Sequence, residues 1–406
     1  MEGRWLFTPE CLREMNGTST TDEPRALRAE EMDELLALVN RIFRAGEGRM
    51  QECFPTLFCP ENRRHLRVLQ VEGKIVSHIG AVARDLVIHG CRVGVGCVGA
   101  VCTHEDYRQR GYATTLLEDV IATLRAEGVD VLFISGRRGL YRRHGAASVG
   151  RVEVFTLTPA EAPLSTAQAA GALLKPDQWP ELARLYRQEP VRFHRPREDW
   201  EKFGAQGPVH PYLRRERRFY SVTEGGRLRA YFVLMVSKGE GQRRAEVSEY
   251  AGCRHALLAA VPPLLAELSL AELHWRVPAH DEELCGLLWA QGRQSVPQPT
   301  AGTVSVIHFP RLMARLGPLF AERAGEQVAT RLIAEEREGT WRLALDGEEI
   351  RLTHWPDLAR LVFGPAPGEE EVLLSLPACE GEKSKLSQVL RTIFPLPRPE
   401  YGLNYV

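Results

Sequence analysis

The pattern Arg-x-x-Gly-x-Ala is written twice in this chain, from Arg108 to Ala113 and from Arg142 to Ala147. The first amides of a helix lack an intrahelical acceptor and carry the positive end of the helix dipole. A glycine there lets the backbone come close to a bound anion, so the chemistry on offer is the grip of a phosphate. Gly111 has the surroundings this needs. An apolar, strand-like run precedes it, and Ala113, Leu116, Leu117, Val120, Ile121 and Leu124 follow on one helical face. After Gly145 comes a strand-like run, so that copy has no bundle of free amides to offer. Only the first copy is expected to hold a phosphate, with Arg108 and Arg110 adding charge.

The elements that would position this loop read clearly. "RAEEMDELLALVNRIFRAG" is amphipathic at helical spacing. "HLRVLQVEGKIVSHIGAVARDLVIHG" reads as two strands around an "EGK" turn, and "CRVGVGCVGAVCT" as a third strand. Gly94, Gly96 and Gly99 in that strand mark a bulge or a close backbone approach. Gly128 is placed to end the helix that Gly111 opens, and "VDVLFIS" is a short buried strand. "GRRGLYRRHGAA" is a turn with one helical turn, and "SVGRVEVFTLTP" returns as a strand. "TPAEAPLSTAQAAGALLKP" reads as a boundary. The following segment repeats the order of the first: "TEGGRLRAYFVL" matches "VEGKIVSHIGAV", and a helix and a strand follow in each. Its phosphate position reads "AGCRHALLA", so a duplicated fold without the site is expected. A third unit starts near Thr303 and ends "PLPRPEYGLNYV", a tail stiffened by Pro395, Pro397 and Pro399 and expected to dock. The partition is 1–23, 24–160, 161–302 and 303–406.

Composition excludes several classes. The 406 residues carry 52 basic and 53 acidic side chains, a net charge of −1, so no field steers the chain to nucleic acid or membrane. No run approaches the about 18 apolar residues of a membrane helix, and the first residues lack a signal peptide's apolar core. A cytoplasmic protein is expected. The nine cysteines form no Cys-x-x-Cys pair and the twelve histidines are scattered, so no metal is expected.

"GAVCTHEDYRQRGYATTLLEDVIATL" resembles the acyl-CoA-binding segment of the GNAT N-acetyltransferase superfamily. The match covers Arg108, Gly111 and Ala113. It implies that Gln109, Arg110, Gly111 and Tyr112 offer amides to the diphosphate, and that Val101, Cys102 and Thr103 bind the pantetheine arm through their backbone. The domain order resembles the enhanced-intracellular-survival acetyltransferases. This implies an α/β (α+β) architecture: an active GNAT domain, a degenerate second one with its own mixed sheet, and a sterol-carrier-protein-like C-terminal domain. The resemblance also implies that Tyr141 is the acid beside the coenzyme A sulfur and that Ser135 lies beside the cofactor. It assigns the base to the terminal carboxylate of Val406, against the alternative of a tail docked for stability alone. Arginines of "RRGLYRR" could hold the 3′-phosphate of coenzyme A, solvation being the expectation for most of them.

Together these readings give an acetyl-CoA-dependent N-acetyltransferase that works by direct attack in a ternary complex. The acceptor is a primary amine: a small amine, an aminoglycoside-like molecule or a lysine. The competing reading is a CoA- or lipid-binding sensor without turnover. The resemblance also implies a homo-oligomer, a trimer or hexamer.

Overall fold

A computed structural model describes residues 23–44, 49–160, 170–173, 178–204, 215–237, 242–369, 372 and 384–406. In chain order, the first elements are β1 (Arg25–Ala26), α1 (Met32–Arg44), α2 (Met50–Cys53), β2 (Leu66–Val71), β3 (Lys74–Ile88) and β4 (Cys91–Thr103). Then come α3 (Tyr112–Ala126), β5 (Val131–Ile134), α4 (Gly139–Arg143), β6 (Val152–Leu157), β7 (Ala170–Leu173), α5 (Trp179–Tyr186) and β8 (Val191–Phe193). The middle of the chain supplies α6 (Arg197–Gly204), β9 (Arg215–Glu224), β10 (Arg227–Ser237), β11 (Arg243–Gly252), α7 (Arg254–Glu267) and β12 (Leu270–Pro278). There follow α8 (Glu282–Ala290), β13 (Ser295–Gln298), β14 (Thr303–Val306), α9 (Phe309–Arg315), α10 (Gly317–Ala324) and α11 (Glu326–Arg331). The last are β15 (Ile333–Arg337), β16 (Thr340–Leu345), β17 (Glu348–Leu352), α12 (Trp355–Phe363) and α13 (Lys385–Ile393).

These strands make two seven-stranded mixed sheets and one three-stranded meander. The first sheet runs β1-β2-β3-β4-β5-β14, with β8 pairing the far end of β3. The "EGK" turn joins β2 to β3, with Glu72 and Gly73 both at positive φ as a tight hairpin turn demands. The strand β4 runs parallel to β5 only from Val95–Val98 against Val131–Ile134. The Ser135 amide donates to the Val98 carbonyl at 3.2 Å, and beyond that bond the two strands part. Just past the parting Ala100 takes φ +50°, and the β3–β4 register shifts between His78 and Gly80.

The second sheet runs β13-β6-β12-β11-β10-β9-β7 and repeats the plan: a hairpin, a third strand, a helix and a parallel fourth strand. Two strands pair across the boundaries of the linear partition. The strand β6, read as closing the first unit, pairs with β12 in the second sheet. The strand β14, read as opening the third unit, pairs with β5 in the first. The boundary segment itself contains β7, an edge strand beside β9. One apolar core is shared by the first sheet and the C-terminal region, from Leu35 and Phe133 through Phe309 and Phe363 to Tyr401 and Val406.

Candidate functional site

Gly111 is the N-cap of α3 at φ +81°, and Gln109 two residues earlier has φ +63°. Left-handed residues interleaved with ordinary ones turn successive amides to one side. The amides from Gln109 to Ala113 find no acceptor among the described residues. A Cβ at Gly111 would meet nothing within 4 Å, so it is the backbone conformation, with no packing demand, that calls for glycine here. Arg108 donates from Nε to the Thr103 carbonyl at 3.3 Å. Arg110 donates to the Asp106 carbonyl at 3.1 Å and lies over the Tyr107 ring.

A cavity of about 480 Å³ opens over these amides. Its walls include Val101, Cys102, Thr103 and every residue from Arg108 to Ala113, so the sequence-predicted binding residues meet in one place, Ser135 excepted. Cys102 contributes backbone: burial pushes its thiol up to about 12, which rules out a thiolate role. Residues not predicted also line it: Ile42 and Phe43 at the end of α1, and Leu140. Arg138 and Arg143, exposed cations of the "RRGLYRR" run, stand at its rim.

The second constellation sits where β4 and β5 part. Gly99 is placed so that a Cβ on it would collide with the backbone carbonyl carbon and oxygen of Val406 and stand 3.2 Å from the Val406 side chain. Val406 is buried there. Gly94 and Gly96 of the same strand admit other partners, the Gly128 carbonyl and the Leu124 and Leu132 side chains respectively. The three glycines thus serve three different approaches, only one of them at the parting. Ser135 ends β5 at this point; its hydroxyl lies 3.4 Å from the Val98 carbonyl and shares a hydrogen bond with the Tyr405 hydroxyl. It stands outside the cavity and supports the tail. Tyr141 is 4% exposed, and its ring packs so closely on Gly136 that a Cβ there would be 2.6 Å from a ring carbon and 3.4 Å from the hydroxyl. Burial raises the Tyr141 phenol above its ordinary value, so it carries its proton at neutral pH.

The tail is held from the second unit. Arg195 pairs with Glu249 through two bonds of 2.8 and 2.5 Å, both side chains buried. The same arginine donates from Nε to Asn404 at 2.7 Å, and the Leu403 amide donates to Glu249 at 3.0 Å. Arg398 lies over the Phe133 ring at 4.4 Å, and Phe133 also meets Tyr401 edge to face.

The two lost copies of the cradle have physical explanations. Gly145 also has positive φ, but a Cβ on it would strike the indole of Trp355, whose Nε1 donates to the Val306 carbonyl at 2.8 Å. That glycine makes room for α12. At the start of α7, the Gly252 amide donates to the Glu189 carboxylate at 2.9 Å, and Glu189 also pairs with Arg254 at 2.7 Å. A carboxylate of the chain itself stands where the first unit has free amides. Among the described residues there is no cluster of metal-binding side chains, and no helix is long and apolar enough to cross a membrane.

Comparison with known proteins bears on the first unit. Residues 23–149 match the family described as Acetyltransferase (GNAT) domain. These residues are similar to a GNAT acetyltransferase domain. The chemistry of that family is acyl transfer from an acyl-CoA, and the free amides and parted strands here suit such a donor. No curated protein matches the chain. Among solved structures, a GCN5-related N-acetyltransferase from Anabaena variabilis is similar at TM-score 0.60 and 11% identity, over 84% of this chain and 90% of that one. Eis1 from Mycobacterium abscessus is similar at TM-score 0.57 and 16% identity, again over 84% and 90%. A probable N-acyltransferase from Enterococcus faecalis is similar at TM-score 0.57 and 15% identity, over 73% and 75%. At these identities the likeness is one of fold.

Proposed function

We propose that this protein is an acetyl-CoA-dependent N-acetyltransferase whose acceptor is a primary amine. The observation that carries the reading is the alignment of two features on one strand. At its end β4 leads into a cradle of free amides, and two residues before Val101 it meets the Val406 carboxyl at Gly99. A thioester donor fits this geometry, with its diphosphate on the amides of Gln109–Ala113 and its pantetheine arm along Val101–Thr103. Tyr141 is the acid for the leaving thiolate, and burial keeps its proton in place. With Val406 as the last residue, its carboxylate is the base that takes the proton from the amine. A terminal carboxyl is a weak base in water, with a pKa of about 3.5, and Val406 is buried here. The amine attacks the carbonyl carbon, the C–S bond breaks, and the sulfur collects the Tyr141 proton.

In this reading the second sheet, with most of residues 161–302 and with β6 added from before them, forms a second GNAT-like fold that has lost its cradle, and the Glu189 carboxylate seated at the start of α7 supports that loss. The C-terminal region, assigned as sterol-carrier-protein-like, supplies the tail. The test is release of free thiol from acetyl-CoA with a panel of polyamines, aminoglycosides and lysine peptides at several pH values. Steady release with an amine supports the enzyme. Tight CoA binding with no thiol release across the panel overturns it in favour of a sensor.

A further inference from the structure

His78 of β3 is fully buried, and its Nδ1 lies 3.0 Å from the Arg67 carbonyl. A carbonyl oxygen only accepts, so Nδ1 carries the imidazole proton and Nε2 presents a bare lone pair. That Nε2 is buried and has no hydrogen-bond partner. Burial drives the imidazolium down to about 4, more than the Arg67 carbonyl restores, so the ring is neutral at physiological pH. An acceptor left unmet in the interior is costly, which marks the atom as one that meets a donor.

Its position says which donor. A Cβ on Gly80 would stand 3.2 Å from the His78 Nε2 and 2.9 Å from a methyl of Leu57. Gly80 is registered directly opposite Gly99, the glycine whose Cβ position meets the Val406 carboxyl. Directly paired residues have their Cβ positions about 5 Å apart on one face of the sheet. Two acceptors, an imidazole nitrogen and a carboxyl oxygen, therefore converge over one glycine pair with no protein donor for Nε2 among the described residues. The place is the parting of β4 and β5, where the acyl group would be attacked.

We propose that His78 is a positioning residue for the transfer: its Nε2 takes an N–H of the attacking amine, or an O–H of a water bridging to the Val406 carboxyl. The inference rests on the acyltransferase reading. In either form the proton leaving the amine goes to the Val406 carboxylate, directly or through that water. The imidazole keeps its one proton on Nδ1 throughout.

The test is steady-state kinetics on His78→Phe, which removes the acceptor at similar volume, and His78→Gln, whose amide can serve the Arg67 carbonyl and still offer an oxygen. Wild-type thiol release is the control; its absence sinks the acyltransferase reading and leaves His78 to the spectroscopic measurement below. With turnover present, His78→Phe is expected to lose about tenfold or more in kcat with the amine, at unchanged affinity for acetyl-CoA. His78→Gln is expected to recover most of that loss. A primary and a secondary amine distinguish the two donors. A penalty that shrinks with the secondary amine assigns the bond to the amine itself, and an equal penalty assigns it to water. A folded His78→Phe enzyme with kcat within twofold of wild type overturns the proposal. If neither variant folds, the ¹⁵N resonance of Nε2 in the wild-type protein decides. A hydrogen-bonded value with coenzyme A and amine present supports it, and a free lone-pair value throughout overturns it.

Discussion

In the proposed reaction Tyr141 and Gly99 each act through a single atom. Removing the Tyr141 hydroxyl takes away the proposed proton donor while leaving the ring packed on Gly136. Tyr141→Phe is expected to lower kcat by about a hundredfold or more, with KM for acetyl-CoA nearly unchanged, as measured by thiol release. Gly99→Ala works from the opposite side of the parting. The added methyl claims the space of the Val406 carboxyl, so the tail must withdraw. Turnover is expected to fall while acetyl-CoA still binds, and calorimetric titration beside the thiol assay separates the two. A glycine in a strand announced a close approach in the sequence. The partner, at the other end of the chain, could not be read there, because nothing local to Gly99 encodes the path of the tail. His78 was likewise silent: an isolated histidine in an apolar strand gives no sign of which nitrogen the fold leaves unmet.

Two glycines with the same local spelling separate at the level of elements. Gly111 caps α3 at φ +81° with open space around it, whereas Gly145 lies against Trp355 of α12. Gly111→Ala is expected to cost about 1–2 kcal/mol from the left-handed backbone and to weaken acetyl-CoA binding by distorting the amides. Gly145→Ala is expected to lower Tm at least as much, by the about 1–3 kcal/mol of overpacking in addition to backbone strain, with acetyl-CoA affinity retained in the folded fraction. Thermal unfolding and acetyl-CoA titration on both variants check the pair. The helices and hairpins of the first unit were legible because their apolar periodicity is strong: α1, α3 and the β2–β3 turn lie where the pattern puts them. Sheet membership was not. The short strands β6, β8 and β14 carry no sign of which sheet they join, and their pairing is settled by contacts far along the chain.

For the molecule as a whole, Arg195 and Glu249 tie the tail to the second sheet. Burial alone would raise the Glu249 carboxyl, but the charge and hydrogen bonds of Arg195, with help from Leu403 and Tyr231, bring it below its ordinary value. A depressed carboxyl stabilises the fold above its unfolded pKa and ceases to do so as pH falls through its folded one. Glu31 follows the same sign: its hydrogen bonds to Arg25, opposed by burial, set it at about 2 against an ordinary 4.5. Stability measured by denaturant unfolding is therefore expected to hold above pH 4.5 and to fall between there and about pH 2. Glu249→Gln leaves the Arg195 charge buried without its counterion, at a cost of about 3–5 kcal/mol, and loosens Leu403 and Asn404. The central claim is that amides around Gly111 hold the diphosphate of an acyl-CoA. A crystal structure with coenzyme A bound tests it most directly. The account predicts diphosphate oxygens within hydrogen-bond distance of the amides between Gln109 and Ala113, with the thiol near Tyr141. Coenzyme A bound elsewhere, or those amides turned to another part of the chain, would contradict it.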